Sequence, residues 1–199
     1  ALESKMTDMG AGQCLVVSVA KPSDSVARLF PFEKKSERWS PCLSPMDATI
    51  GRNGLAEGDS KREGDGKTPA GVFPLGLVFG YAPSVSFAMP YRPATPDDIW
   101  IDDPSSPDYN RWVSRKGHVA KSFEEMKRSD NLYKWGMVVE YNTHPVVPGK
   151  GSAIFFHLWA GPGKTTSGCV AIAEKNMERL LPWLDPAKKP CMAIGTKAP

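Results

Sequence analysis

No run of about 20 apolar residues occurs in the chain, so nothing in it reads as a membrane-spanning helix. Charge of one sign is lacking too. A net charge of +3, with no basic run interleaved with aromatics, argues against a nucleic-acid partner. Histidine is scarce: His118, His144 and His157 stand at no ligand spacing, and no H-x-x-x-H or H-x-D motif occurs. No metal and no cofactor are therefore expected. His118 follows Gly117 and His144 precedes Pro145, both turn-like settings, and both read as surface residues. Repeats, linkers and low-complexity segments are absent, so 1–199 is expected to form one domain, with 1–12 a loosely ordered N-terminal segment. The opening "ALESKMTDMG" has no charged-then-apolar leader and begins on Ala, as a mature or trimmed form would.

Cysteine is limited to positions 14, 42, 169 and 191. If one of them must be a free thiol, at most one internal bridge can form. Cys14 and Cys191 lie in the apolar runs "CLVVSVA" and "CMAIGT", and buried small side chains are the simpler reading.

What the chain has is 41% hydrophobic and 24% charged residues, ordinary for a globular domain, broken into short pieces by 19 Pro and 18 Gly. Apolar runs at 14–19, 71–79, 136–141, 152–159 and 191–195 read as strands, with weaker candidates at 40–51 and 97–102. Two segments read as helices. One is 122–133, where Ser122 and Glu125 stand at capping-box spacing. The other carries Met177, Leu180, Leu181 and Leu184 as an i, i+3, i+4, i+7 stripe, ended or kinked at Pro182 and read as core packing. Many strands and few helices predict a mainly β sandwich or barrel with long Pro/Gly-rich loops. The Pro-rich loop 81–98 is long enough to wall a cleft.

Two Gly-Lys-Thr triplets, 66–68 and 163–165, suggest phosphate loops, but a P-loop needs G-x-x-x-x-G-K-[ST]. The outer Gly would fall at positions 61 and 158, which are Lys61 and Leu158. Both triplets are therefore turn chemistry.

The stretch "SAIFFHLWAGPGKTTSGC" offers different chemistry. Read as a strand, 152–159 puts Ala153, Phe155, His157 and Trp159 on one face. A loop of twelve positions returns a thiol, Cys169, toward the imidazole at the strand's end. That is a Cys–His nucleophile arrangement. Gly168 frees the backbone to turn its N–H groups inward, as an oxyanion hole requires.

Several stretches together carry a wider resemblance: "IGRNGL" (50–55), "GDGKTPAGVFPLG" (64–76), "DDPSSPDYNRWV" (102–113), "VVEYN" (138–142), "GKGSAIFFHLW" (149–159) and "TTSGCVAI" (165–172). In this order they resemble the YkuD-type L,D-transpeptidase catalytic domains. The resemblance implies a β-sandwich with a mixed sheet and a peptidoglycan stem tetrapeptide as donor. It implies Cys169 as nucleophile and His157 as general base and acid. The backbone N–H groups of Ser167, Gly168 and Cys169 would form the oxyanion hole, and a carbonyl beside His157, such as that of Leu158, would orient the ring. Carbapenem-type β-lactams would acylate the thiol. An exported enzyme, periplasmic or cell-wall associated and monomeric, is expected.

Two positions depart from the family pattern. Ser167 stands where many members have His, and Ala171 where many have Arg or Asn. The substrate carboxylate then needs another partner. Thr166, Arg52 and Arg111 are the candidate substrate-binding residues, with Arg92 and Arg115 as further cations; the sequence does not choose among the arginines. Two other readings stay open: an L,D-carboxypeptidase or related cell-wall amide hydrolase, and an inactive binding module of the same fold. The intact His157 and Cys169 speak against the last.

Overall fold

A computed structural model describes residues 2–36, 38–118 and 120–196. Its strands are β1 (Gln13–Ser18), β2 (Val26–Lys35), β3 (Arg38–Pro41), β4 (Met46–Thr49), β5 (Leu55–Ala56), β6 (Thr68–Pro69), β7 (Gly71–Gly80), β8 (Tyr91–Pro93), β9 (Asp98–Ile101), β10 (Trp112–Ser114), β11 (Phe123–Glu125), β12 (Trp135–Val139), β13 (Phe155–Leu158), β14 (Val170–Ile172) and β15 (Cys191–Gly195). The helices are α1 (Leu2–Asp8) and α2 (Glu174–Leu180), with a 3₁₀ turn at Pro186–Lys188. No helix of the described residues is long and apolar enough to cross a membrane.

The main sheet runs β1-β15-β7-β12-β13-β14-β4-β2-β3, with β8 beside β7. A further β1–β2 pairing closes the path, so both faces of the sandwich belong to one continuous mixed sheet. β1–β15, β13–β14 and β7–β8 are parallel; the other pairs are antiparallel. The sheet encloses a core that includes Leu15, Leu29, Val78, Met137, Phe156 and Ile172. The stripe read from the sequence is buried: Met177, Leu180, Leu181 and Leu184 all join this core, with α2 ending just before Pro182.

A second cluster lies on the other face, roofed by the small β10-β9-β11 sheet. It holds Phe79, Trp100, Met126, Tyr133, Phe155 and Cys169. The 122–133 stretch is therefore not the helix its capping spacing predicts. Phe123–Glu125 pairs with Ile99–Ile101, Met126 is fully buried, and Ser122 donates to Asp102 instead of capping. Tertiary pairing and burial outweigh a local signal worth about 1 kcal/mol. The loop 81–98 does wall a cleft, lined by Ala82, Ser84 and Phe87 against Trp135 and Leu181, with Phe87 packed on Tyr91 and Trp135; the cavity that His157 lines is a separate one. Segment 1–12 contains α1, whose Met6 is buried against Cys14 and Cys191.

Candidate active site

Register decides the site. Across the parallel β13–β14 pair, Phe156 faces Val170, His157 faces Ala171 and Leu158 faces Ile172. Alternation then sends Phe156, Leu158, Val170 and Ile172 into the enclosed core and His157 and Ala171 outward. Cys169, one residue before β14, joins the outward face beside Phe155. A one-residue slip would expose four apolar side chains, each worth about 1.5–3 kcal/mol of burial, so the core fixes the outward placement of the thiol and imidazole.

His157 and Cys169 line one cavity of ≈ 490 Å³. His157 is 6% exposed and Cys169 9%. His157 Nδ1 lies 2.7 Å from the carbonyl oxygen of Leu158. A carbonyl can only accept, so Nδ1 carries the proton and Nε2 keeps its lone pair. The ring stacks edge-on against Tyr133, centroids 5.1 Å apart. Burial lowers the His157 pKa to about 4, so the ring is neutral at pH 7. Burial likewise raises the Cys169 thiol to about 12, although the Phe155 N–H opposes the rise. Burial thus favours two neutral groups over a thiolate–imidazolium pair. The thiol accepts from Phe155 N–H and donates to Ala153 O, each at 3.3 Å.

The loop before Cys169 is braced from below. Gly51 bridges Thr166, and Arg52 N–H donates to Thr166 O at 2.9 Å. Thr68 Oγ1, from the "GDGKT" segment, accepts from Gly51 N–H and donates to Gly168 O, both at 2.8 Å. Thr166 Oγ1 donates to Cys169 O at 2.6 Å and accepts from Gly168 N–H at 3.1 Å. Gly168 has φ +149, and a Cβ there would meet Lys67 O at 2.9 Å. Gly168→Ala should thus lower stability by about 1–3 kcal/mol. A thermal melt checks this; an unchanged melting temperature would mean the loop adapts freely.

The L,D-transpeptidase catalytic domain family, YkuD, matches residues 19–196. The chain belongs to that family. Members of the family act on peptidoglycan. Comparison with the curated proteins gives no match. Among solved structures, the chain is similar to Bd1075 of Bdellovibrio bacteriovorus, with 16% identity and a TM-score of 0.49 over 94% of this chain and 48% of that one. It is also similar to the helical cell shape determining protein Pgp2 of Campylobacter jejuni, with 17% identity and a TM-score of 0.49 over 100% of this chain and 56% of that one. The chain thus spans about half the length of the structures it matches.

In this L,D-transpeptidase domain, Cys169, His157, Gly168, Ser167, Thr166 and Arg52 all line the one cavity. Arg52 is exposed there, and its guanidinium donates to Ser167 Oγ at 3.0 Å. Arg111 is exposed and lies outside the lining. Arg92 pairs with Asp98 and stacks on Trp112, and Arg115 pairs with Glu125. His118 contacts Asp108, and His144 is exposed. Among the described residues, no group of His, Cys, Asp and Glu could hold a metal.

The cavity also has members that motif reading missed. Lys61, Glu63, Asp102, Glu124 and Arg128 line the cavity. Tyr133 hydroxyl donates to Glu124 at 3.3 Å, and Arg128 stacks over Tyr133. Burial raises the Glu124 carboxyl, with Asp102 and Glu63 adding to the rise. Asn110, 4% exposed, accepts from Ala153 N–H at 3.0 Å and from Trp100 Nε1 at 2.9 Å, and donates to Asn142 O. It fixes Ala153 at φ +50, the residue whose carbonyl meets the Cys169 thiol. The only sequence signal for Asn110 was its place in "DDPSSPDYNRWV".

Proposed function

We propose that this domain is a cysteine-dependent L,D-transpeptidase acting on peptidoglycan stem tetrapeptides through a thioacyl-enzyme. The observation that carries the reading is the shared outward face of β13 and β14, with His157 and Cys169 in one cavity. Cys169 Sγ attacks the carbonyl between the L-centre of a diamino acid and the terminal D-Ala. His157 Nε2 takes the thiol proton as the C–S bond forms, because a preformed ion pair is disfavoured in this buried setting. The same proton then passes to the leaving amine, and D-Ala departs. An amine acceptor gives a cross-link; water gives a trimmed stem.

The oxyanion is held by backbone N–H groups at 167–169, each such donor worth about 3 kcal/mol. Gly168 N–H must leave Thr166 Oγ1 to take part; the N–H groups of Ser167 and Cys169 are the other donors. Arg52 is the partner of the substrate carboxylate. It lines the cavity beside Ser167 and replaces the cation missing at Ala171. Thr166 orders the loop. The enzyme is placed outside the cytoplasm, where its substrate is, and carbapenem-type β-lactams acylate Cys169.

Defined tetrapeptide muropeptides test the reading. Mass spectrometry should find D-Ala released together with cross-linked dimers, and pentapeptide stems should be poor donors because their scissile carbonyl is displaced from the oxyanion donors. Arg52→Ala should raise KM about tenfold or more with a smaller change in kcat. D-Ala release without dimers, under abundant acceptor, would identify an L,D-carboxypeptidase; no release from a folded protein would favour a related hydrolase or a binding module.

A further inference from the structure

Two thiols lie far from the cavity and take no part in the proposed chemistry. Cys14 opens the run of paired residues on β1, and Cys191 stands opposite it, in register, on β15. Cys14 is 1% exposed and Cys191 0%. They share a small cluster with Met6, Ala11 and Ala193, on the face of the sheet away from the main core. Adjacent strands lie about 4.8 Å apart, within the 4.4–6.8 Å Cα separation that disulfides span. All four cysteines are free thiols in this structure, and Cys14 and Cys191 are the two that pack in one cluster. Cys42 instead donates to Ser40 O, and Cys169 is held in the second cluster with Phe155.

We propose that Cys14 and Cys191 are the partners of a disulfide that staples the first strand of the sheet to the last. The bond encloses nearly the whole domain, from position 14 to position 191. The oxidant is a disulfide donor of the glutathione or thiol-oxidase class. One protein thiolate attacks the donor, forms a mixed disulfide and releases a thiol. The second protein thiolate displaces the donor's other half as a second thiol. Two protein thiols are oxidised, one donor disulfide is reduced, and the two protons leave on the released thiols. The neighbouring Cys191 sulfur and burial push the Cys14 thiol up. Both residues are out of reach of a solvent-borne oxidant once the strands have closed, so the bond forms while the sheet is closing.

Refolding the reduced, denatured protein in mixed oxidised and reduced glutathione tests the staple. After quenching with iodoacetamide in denaturant, intact mass should show two alkylations, and digestion without reduction should link the Cys14 peptide to the Cys191 peptide. Cys42 and Cys169 should carry the alkyl groups. Four alkylations, or a bridge through Cys42 or Cys169, would overturn the proposal. The cross-linked form should also unfold at a urea midpoint higher by about 1 M or more than the phosphine-reduced form. An unchanged midpoint would overturn the stapling role. Cys14→Ala and Cys191→Ala should each give three alkylations and no bridge, a readout independent of folding; a bridge persisting in either would equally count against the pairing.

Discussion

Cys169→Ala should abolish D-Ala release, by at least about 10³-fold, in a protein that remains folded. The covalent path has no other nucleophile in the cavity of comparable reactivity, and positioning with oxyanion donors alone leaves only residual rate. Removing one sulfur at a site already 9% exposed leaves the inward faces of β13 and β14 untouched, so the melting temperature should move little. A carbapenem should form a stoichiometric adduct with the unmodified protein, localised to Cys169 by peptide mapping and absent from the variant. Cys14→Ala should alter stability and keep the chemistry. Full turnover in Cys169→Ala would sink the mechanism.

His157→Ala should lower turnover by about 10²–10⁴-fold, and added alkali should recover part of the loss because hydroxide can then make the thiolate. The pH behaviour follows from the two buried neutral groups. His157 must be unprotonated to accept the thiol proton, and its pKa is about 4, so kcat/KM should hold from pH 7 to about 5 and decline only near pH 4. With the thiol raised to about 12, iodoacetamide alkylation of Cys169 should climb about tenfold per pH unit between 7 and 10. A plateau of alkylation below pH 7 would reveal an ion pair and refute the neutral resting state. Stability carries the same signs. The unfolded His157 binds its proton near pH 6.5 and the folded one only near 4, so stability present above 6.5 is lost as pH falls toward 4, by about 3 kcal/mol. The raised Cys169 contributes stability below about pH 9 that is lost as pH rises toward 12. Urea midpoints at pH 4.5, 7 and 10 measure both limbs.

Strands with a largely apolar run, such as "CLVVSVA", buried over most of its length, and "GVFPLGLVFG", buried at its end, were legible because apolar composition leaves a local mark. β2 was not. Its ten residues mix Arg28, Pro31, Glu33 and Lys34 with Leu29 and Phe32, and its pairing with β1, β3 and β4 is set by distant partners. The same cause hid β11 behind a capping signal. Within the site, Cys169 and His157 were legible because a short loop joins them. Arg128, Glu124 and Asn110 were not, because the β9–β11 roof brings them in from 29 (Arg128 to His157) to 59 (Asn110 to Cys169) positions away, and no spacing rule spans that distance. The sequence left Arg52 and Arg111 as equal candidates; Arg52, beside the braced loop, lines the cavity together with exposed Lys164, and Arg111 lies outside it.

The two faces of β13 and β14 also separate two kinds of physical demand. Inward positions 156, 158, 170 and 172 fill the enclosed core; outward positions 157, 169 and 171 line the cavity. Exchange at an outward position changes what the cavity can do without asking the enclosed core to repack, as Ala171 in place of a larger polar residue illustrates. Substitutions at the cavity-lining positions 167 and 171 should therefore shift the melting temperature less than substitutions at 156, 158, 170 or 172, so a protein engineer can vary 171 and 167 first.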